Sequence, residues 1–216
     1  MYFSFTPKFI QQLMPQLLWH VKDSKSSIFL TFDDGPIPEV TPWVLDQLDR
    51  YKAKASFFCV GDNIIKYPEL FNKLKLNGHF IGSHTFNHLS GWSTNTGEYL
   101  ENVHKGASLV PTNFFRPPYG RITPAQFKIL KNYYQIVMWD VLSGDFDPFI
   151  KPEICLNNVI KNTKPGSILV FHDSLKAWKN LEYTLPRVLD HFTKLNYSFD
   201  SFETISEQIS NLEIPN

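Results

Sequence analysis

Features of disulfide-rich, nucleic-acid-binding and repetitive proteins are missing from this sequence of 216 residues. It has two cysteines, Cys59 and Cys155, outside any Cys-x-x-Cys pair, so neither a disulfide framework nor a cysteine metal cluster is indicated. The 21 basic and 21 acidic residues give a formal net charge of zero, which removes the electrostatic argument for nucleic acid as a partner. No internal repeat or long linker divides the chain, and its length fits one domain.

Long apolar runs are also missing, including at the N-terminus. Within residues 1–20, Pro7, Lys8, Gln11 and Pro15 interrupt the apolar residues. A signal peptide needs an apolar stretch of roughly 7–15 residues and small residues at its cleavage site, and a membrane span needs about 20 apolar residues. We therefore predict no signal peptide, no transmembrane segment and a cytoplasmic location, and we leave export by another route open.

The N-terminal residues 1–27 are predicted to be a helical segment that precedes a larger domain at 28–216. Apolar residues recur near helical spacing at Phe9, Ile10 and Leu13. We expect this apolar face to pack on the domain, and contact with a membrane surface is the alternative.

Short apolar runs alternate with helix-length amphipathic stretches along the rest of the chain. This alternation is typical of βα units around a parallel sheet. About seven such units predict an α/β fold in the form of a small barrel, with an open doubly wound sheet as the alternative. Thr41 and Pro42 are predicted to be the N-cap and the first residue of a helix. Strands are predicted near 28–32, 56–60, 80–83, 114–116, 134–140, 168–171 and 197–199. Helices are predicted near 68–76, 96–110, 152–162 and 181–195, and three more helices are predicted to begin near residues 41, 124 and 204.

Two adjacent carboxylates, Asp33 and Asp34, directly follow the first apolar strand. Side by side they repel each other unless a cation or a proton intervenes. Gly35 and Pro36 then enforce a tight turn. Because chemistry in parallel α/β folds gathers where strands end, we interpret the pair as part of a site, and a loop or capping role is the alternative.

Two histidines, His84 and His88, follow the third strand with a spacing of i, i+4. If the segment is helical, both face the same way and can reach one metal ion, and two unrelated histidines are the alternative. With one Asp they would form a triad that leaves a coordination position open for water. Mixed nitrogen and oxygen ligands suit one divalent ion, Zn²⁺ first, with Co²⁺, Ni²⁺ or Fe²⁺ possible. Such an ion can lower the pKa of bound water to about 7.

Three further strand ends carry residues able to do chemistry. Arg116 follows the fourth strand and could hold a carboxylate bidentately, with a surface position before a turn as the alternative. Asp140 ends the fifth strand and Asp145 and Asp147 follow it, and one of these Asp residues could orient a histidine. His172 ends the sixth strand, and its pKa near neutrality suits a general acid.

In chain order, these strand-end segments resemble the five motifs of the polysaccharide deacetylase family, which is also known as carbohydrate esterase family 4 or the NodB-homology domain. The resemblance implies that 28–216 is a catalytic domain folded as an incomplete, distorted (β/α) barrel. It also implies metal-dependent hydrolysis of the N-acetyl group of an amino sugar. The matching segments are Thr31-Phe32-Asp33-Asp34-Gly35-Pro36, Ser83-His84 to His88, Arg116-Pro117-Pro118-Tyr119-Gly120, the segment around Asp145, and Val170-Phe171-His172-Asp173.

The resemblance implies a role for each matching residue. Asp34, His84 and His88 would bind the metal ion. Asp33 would be the general base that takes a proton from water. Arg116 would pair with Asp33 and keep it ionised.

The resemblance extends to the leaving group and the acyl pocket. His172 would protonate the departing amine, and Asp145 would hydrogen-bond His172. The backbone N–H of Tyr119 would stabilise the oxyanion. Val170 and Phe146 would line the acyl pocket. The family usually has Trp where this chain has Phe146, and a smaller side chain could widen the acyl pocket or change its floor, so the sequence leaves the acyl preference open.

The expected partner is an N-acetylated carbohydrate, such as an N-acetylglucosamine oligomer, peptidoglycan or a sugar precursor. A metal-dependent deacylase of a non-sugar amide and a non-catalytic carbohydrate-binding protein are the alternatives. Trp92 and Trp178 follow motif segments, so they are the better candidates for stacking on a sugar. The sequence carries no signal for an oligomeric state. Non-catalytic roles are expected for the remaining histidines, His20, His79, His104 and His191.

Overall fold

One sheet of eight short parallel strands forms the centre of the fold. The structure, a computed structural model, describes residues 3–210 and the side chains of residues 3–206. The strands are β1 (Ser27–Asp33), β2 (Ser56–Cys59), β3 (Phe80–Ser83), β4 (Phe114–Phe115), β5 (Gln135–Ile136), β6 (Val141–Leu142), β7 (Ile168–His172) and β8 (Ser198–Asp200). The helices are α1 (Lys8–Leu13), α2 (Thr41–Arg50), α3 (Gly61–Lys66), α4 (Pro68–Leu76), α5 (Thr96–Ala107), α6 (Pro124–Leu130), α7 (Pro152–Asn162), α8 (Trp178–Lys194) and α9 (Glu203–Ser210), and a 3₁₀ turn covers Pro118–Gly120.

The strand order is that of an incomplete barrel. Neighbouring strands follow the order β5-β4-β3-β2-β1-β7-β6, so β5 and β6 are the two edges of the sheet. When the sheet is curled into a circle, the strands follow one another in chain order, and the opening lies between β5 and β6. The short β8 pairs with the first half of β1, and β2 pairs with the second half. A doubly wound sheet would place β6 next to β1 and β7 beyond it. The order therefore confirms the predicted distorted, incomplete (β/α) barrel.

The N-terminal segment contacts both strands that border the opening. Leu18 donates its backbone N–H to Ile136 O at 2.9 Å and accepts from Met138 N at 2.8 Å. On the other side, Ser4 O accepts from Leu142 N at 2.9 Å. These bonds give hydrogen-bond partners to backbone groups at the two edges of the sheet, because β5 and β6 do not pair with each other.

The short helix α1 lies between these two stretches, and none of its residues is buried. Ile10 and Met14 nevertheless pack against the apolar cluster around Phe115 and Ile136.

The division of the chain at residue 28 stays a prediction, and residues 1–2 and 211–216 lie outside the described residues. Within the described part of the chain, no helix combines the length and the apolar character that a membrane crossing requires.

Both faces of the sheet are apolar, as expected for parallel strands that are covered on each side. On one face, Ile28 and Leu30 pack with residues of α2 and α8. Side chains on the opposite face belong to a second apolar cluster, which contains residues from strands around the sheet. This cluster therefore fills the barrel interior. Since side chains alternate along a strand, Asp33 projects to the same interior face as Phe29. The interior cluster includes Phe29, Phe58, Phe80, Phe114, Val137, Ile168 and Phe202.

The predicted single strand at 134–140 is wrong, because two separate strands, β5 and β6, lie in this region. Between them, Asp140 O accepts a bond from Thr6 N at 2.9 Å, and Val137 forms a bridge with Leu18. The N-terminal segment therefore takes the hydrogen bonds that would continue a single strand.

The predicted N-cap at Thr41 is also wrong, because Thr41 is the first residue of α2 and Val40 occupies the cap position. The Thr41 hydroxyl accepts from Ile37 N at 2.8 Å and donates to Asp173 Oδ2 at 2.5 Å. A buried carboxylate far away in sequence thus binds the hydroxyl that the local pattern assigns to a helix cap.

Asp140, which lies between β5 and β6 in the chain, bonds to two other parts of the protein. Its carboxylate, which is 2% exposed, accepts from Ile168 N at 2.8 Å, Ser167 Oγ at 3.0 Å and His20 Nδ1 at 2.9 Å. Buried donors lose free energy when their acceptor is removed. We therefore assign Asp140 to the stability of the fold.

Asp140→Ala is expected to lower the free energy of unfolding by about 1–3 kcal/mol, because it leaves buried donors without an acceptor. Urea denaturation measures this loss. The matched control is Asp190→Ala, which removes an exposed carboxylate paired with Lys194 and should change stability by less than about 1 kcal/mol. Equal losses in the two variants would contradict the assignment.

Candidate active site

The chemically capable side chains lie at the carboxyl ends of two pairs of adjacent strands, β1 with β7 and β3 with β4. Asp33 ends β1 and His172 ends β7, and these two residues are register partners. His84 follows β3 and Arg116 follows β4, whose last residues are also paired. Because the carboxyl ends of parallel strands share one rim of a barrel, four segments that are distant in sequence meet there.

Asp34, His84 and His88 bring three potential metal ligands together. Asp34 Oδ1 lies 3.1 Å from His88 Nε2 and 3.9 Å from His84 Nε2, and all three ligand atoms lie within 4.8 Å of one another. Ligands that bind zinc tetrahedrally at about 2.0–2.2 Å lie about 3.3–3.6 Å apart. The spacing of the three side chains therefore suits one shared ion.

The hydrogen bonds around these atoms also fit a cation. His84 Nδ1 lies 2.8 Å from Arg116 O, and since a carbonyl can only accept, the proton is on Nδ1 and the Nε2 lone pair faces the site. Asp34 Oδ1 is buried, and its near neighbours are the ring nitrogens of His88 and His84. The three residues thus form a group that could hold a metal ion.

The protonation states of the group fit metal binding as well. Burial lowers the pKa of His84 to about 4. For Asp34, burial acts to raise the pKa, but the contact with His88 and the nearby imidazoles of His172 and His84 hold it well below its ordinary value. Both side chains therefore have the deprotonated form that a metal requires.

The segment from His84 to His88 is not helical, so the condition under which the i, i+4 spacing would align the two histidines is not met. Residues 84–88 lie outside the described helices, and Thr85 (φ 64°) and His88 (φ 57°) adopt left-handed backbone conformations. The loop is held by Asn102 of α5, whose Oδ1 accepts from Phe86 N at 2.9 Å. Asn102 is a positioning residue that the sequence analysis missed, because a single Asn within a helix carries no signal of its own.

Asp33 and Arg116 form an ion pair inside the barrel. Arg116 Nη1 donates to Asp33 Oδ1 and to Thr31 Oγ1, both at 2.7 Å. Nη2 donates to Met138 O at 3.1 Å, and the guanidinium lies 4.1 Å from the Phe58 ring centroid. The arginine is completely buried, and burial lowers its pKa while Asp33 opposes that shift.

His172 is paired with Asp145 on the other side of the rim. Asp145 accepts from His172 N and lies against His172 Nδ1, both at 2.7 Å. Burial acts to lower the pKa of His172, but Asp145, with Asp34 and Asp33, raises it to about 9. Asn180 Nδ2 donates to Asp145 O at 3.0 Å and so fixes the segment behind the pair.

The remaining predicted residues lie around this centre. Tyr119 has a left-handed backbone (φ 60°) in the 3₁₀ turn, and its ring lies 4.8 Å from the ring of His88. The donors of the hydrogen bonds that close the turn are Gly120 N and Arg121 N, so the backbone N–H of Tyr119 takes no part in these bonds. The ring of Phe146 lies 5.1 Å from that of His172.

Val170, which the resemblance places in the acyl pocket, lies within β7 and is 1% exposed. Its register partner is Thr31 of β1. The side chain therefore offers little surface to an acyl group in this conformation, and its role in the pocket stays a prediction.

Asp173 is a further residue that the sequence analysis gave no role. Its side chain is completely buried. Burial raises the pKa of Asp173 to about 8, although hydrogen bonds from Thr41 and Gly35 act to lower it. Asp173 Oδ1 accepts from Gly35 N at 3.1 Å. A Cβ at Gly35 would lie 2.0 Å from Asp173 Oδ2, so only glycine fits here. Asp173 therefore holds the turn that follows Asp34, and its position next to His172 in the motif was the available signal.

A (β/α) barrel with an Asp–His–His group at the carboxyl ends of its strands is the architecture of a metal-dependent barrel enzyme. Residues 20–135 match the family model described as polysaccharide deacetylase. The chain belongs to the polysaccharide deacetylase family, which confirms the resemblance drawn from its motifs.

Named relatives extend over most of the chain. A peptidoglycan-N-acetylglucosamine deacetylase of Bacillus cereus is 38% identical over 200 residues, which cover 88% of this chain and 91% of the relative. A chitooligosaccharide deacetylase of Azorhizobium caulinodans is 34% identical over 163 residues, covering 71% of this chain and 76% of the relative. The crystal structure of the Bc1960 peptidoglycan N-acetylglucosamine deacetylase matches with a TM-score of 0.83 and 28% identity, covering 92% of this chain and 96% of that one.

Arg116→Met is expected to lower the free energy of unfolding by about 3–5 kcal/mol, because it leaves Asp33 as a buried charge without a partner. In the double variant Asp33→Asn/Arg116→Met the loss should be smaller, since no uncompensated anion remains. Urea denaturation of both variants and of Asp33→Asn completes the cycle. A double variant as unstable as Arg116→Met would show that the ion pair is not the source of the loss.

Asp145→Asn keeps the shape of the side chain but removes its charge, so the pKa of His172 should fall from about 9. The pairing contributes stability that is complete below the ordinary imidazole pKa of about 6.5 and is lost as pH rises through about 9. NMR titration of the imidazole in chelator-treated protein measures the shift, with Asp190→Asn as the control. An unchanged His172 titration in Asp145→Asn would rule out Asp145 as the cause.

Proposed function

We propose that the protein is a metal-dependent N-deacetylase that hydrolyses the acetamide of an N-acetylated amino sugar. The observation that supports this most is the convergence of the potential ligand atoms of Asp34, His84 and His88 beside two further groups, Asp33 and His172, at paired positions of adjacent strands. Family membership and the names of the relatives agree with this reaction.

The ligand set favours zinc among the divalent ions. Two imidazole nitrogens and one carboxylate oxygen are a mixed set that suits Zn²⁺, and three protein ligands leave a position open. When bound, the ion supplies positive charge that lowers the pKa of a water molecule and polarises the acetyl carbonyl.

Asp33 is proposed to be the general base. Its carboxylate lies on the interior face of β1, next to the ligand residue Asp34. Arg116 and the apolar floor hold it in one orientation at 2.7 Å from Nη1. A fixed anionic oxygen beside the attacking water can accept its proton as the new C–O bond forms.

His172 is proposed to be the general acid. Its pairing with Asp145 raises the pKa to about 9, so the imidazolium form persists at neutral pH. The carbon–nitrogen bond can break only when the departing nitrogen receives a proton, and His172 Nε2 is the ring nitrogen that Asp145 leaves free.

The N–H of Tyr119 is proposed to donate to the developing oxyanion. The left-handed turn at this residue leaves the N–H out of the bonds that close the turn, and such a donor contributes roughly 10²–10³ in rate. Phe146, in ring contact with His172, is proposed to line the acyl pocket. Because peptidoglycan and chitooligosaccharide appear in the names of the relatives, we propose N-acetylglucosamine-containing glycans as the substrate class.

The test is acetate release from N-acetylglucosamine oligomers by zinc-loaded protein. Asp33→Asn should lower kcat by about 10²–10⁴ while zinc stays bound, since only the proton acceptor is lost. His84→Ala should lose both zinc and activity, and equilibrium dialysis measures the zinc. The control His191→Ala, on α8 away from the rim, should match the wild type.

Two results would overturn the proposal. One is acetate release that survives in both Asp33→Asn and His84→Ala. The other is hydrolysis of an N-acetylated amino acid amide at a rate that exceeds the rate on the sugar oligomer, which would favour a non-sugar deacylase.

A further inference from the structure

A row of exposed side chains leads away from His88 along the surface. The ring of Tyr119 meets that of His88 edge to face at 4.8 Å. The guanidinium of Arg121 lies 5.6 Å from the Tyr119 ring centroid and 5.2 Å from that of Trp92. The row therefore begins at a proposed metal ligand and ends on a large aromatic ring.

The outer end of the row is fixed in place by hydrogen bonds between two loops. Trp92 Nε1 donates to Ile122 O at 3.3 Å, and Gly91 N donates to Arg121 O at 3.2 Å. Buried Gln126 donates to Gly91 O at 2.9 Å. A Cβ at Gly91 would lie 2.6 Å from Arg121 O, so this close contact of the loops requires glycine. The aromatic surface is thus formed before any ligand arrives.

Packing within the protein does not account for the exposure of these rings. Trp92 is 66% exposed and Tyr119 is 61% exposed, although exposed aromatic area costs free energy that a ligand can recover. Arg121 makes no side-chain hydrogen bond or ion pair with any described residue, so its N–H donors are available to oxygen atoms of a ligand.

We propose that Tyr119, Arg121 and Trp92 form the subsite that holds the sugar residue next to the one that loses its acetyl group. The inference rests on the proposed function. The apolar faces of pyranose rings stack on aromatic rings, and hydroxyl and acetamide oxygens accept from a guanidinium. Because the row is continuous with the proposed metal ligand His88, a glycan chain that has one acetamide in the site extends over it.

The subsite makes the enzyme selective for oligomers over the monosaccharide. Stacking on Trp92 lies away from the reacting bond, so it stabilises substrate and transition state equally. Uniform binding of this kind lowers KM and leaves kcat unchanged.

Trp92→Ala is expected to lower kcat/KM for an N-acetylglucosamine tetramer about three- to tenfold, through KM, as expected for one lost aromatic contact. Its kcat/KM for N-acetylglucosamine itself should stay within twofold of the wild type. Trp92→Phe should restore most of the loss, because a ring remains. Tyr133→Ala, which removes an aromatic side chain that is 57% exposed and contacts His104, is the matched control and should leave both substrates unaffected.

An equal change on both substrates, or no change on either, would overturn the subsite. If the wild type releases no acetate from any sugar, the proposed function fails, and calorimetric binding of the tetramer to zinc-loaded wild type and Trp92→Ala then decides the subsite separately. A Kd that rises about three- to tenfold in the variant supports it, and equal or absent binding overturns it. Circular dichroism of each variant checks that the fold is retained.

Discussion

The buried ion pair between Arg116 and Asp33 is the interaction on which the rest of the site depends. Arg116 lies on an apolar interior and bonds Asp33, Thr31 and Met138, so it ties β4 to β1 and to the chain after β5. Its own carbonyl accepts from His84 Nδ1, which sets the tautomer of a proposed metal ligand. Removal of two charges from water costs several kcal/mol, which their mutual attraction and further hydrogen bonds must offset. Arg116 contributes such bonds through Nη1 to Thr31 and through Nη2 to Met138.

The two adjacent carboxylates owe their different environments to strand geometry. Successive side chains of a strand point to opposite faces, so Asp33 points into the barrel toward Arg116, while Asp34, with φ 84°, lies at the rim among imidazoles. The turn after them is fixed by Asp173 through Gly35 N. The two environments therefore support the proposal that one carboxylate accepts a proton and the other binds the metal ion, because the neighbouring anions do not share one environment.

Residues outside the motifs hold this arrangement and extend it. Asn102 fixes the loop between the two histidines, and Asn180 fixes the segment that carries Asp145. Beyond the rim, Trp92 and Arg121 continue the surface from Tyr119. We thus propose that the chemistry uses the strand ends and that the selection of a substrate uses the loops that lie beside them.

The sequence by itself determined the parallel α/β class and the residues at the strand ends, because strand-length apolar runs followed by Asp33, His84, Arg116 and His172 are local patterns. It could not determine the opening between β5 and β6, the environment of Thr41, or the roles of Asp173 and Asn102, because each depends on a partner far away in the chain. The sequence is equally compatible with a helix and with a loop between His84 and His88. The contact with Asn102 and the left-handed backbone at Thr85 and His88 show that the segment is a loop. Local patterns report which groups are available, whereas the distances between groups follow from long-range packing.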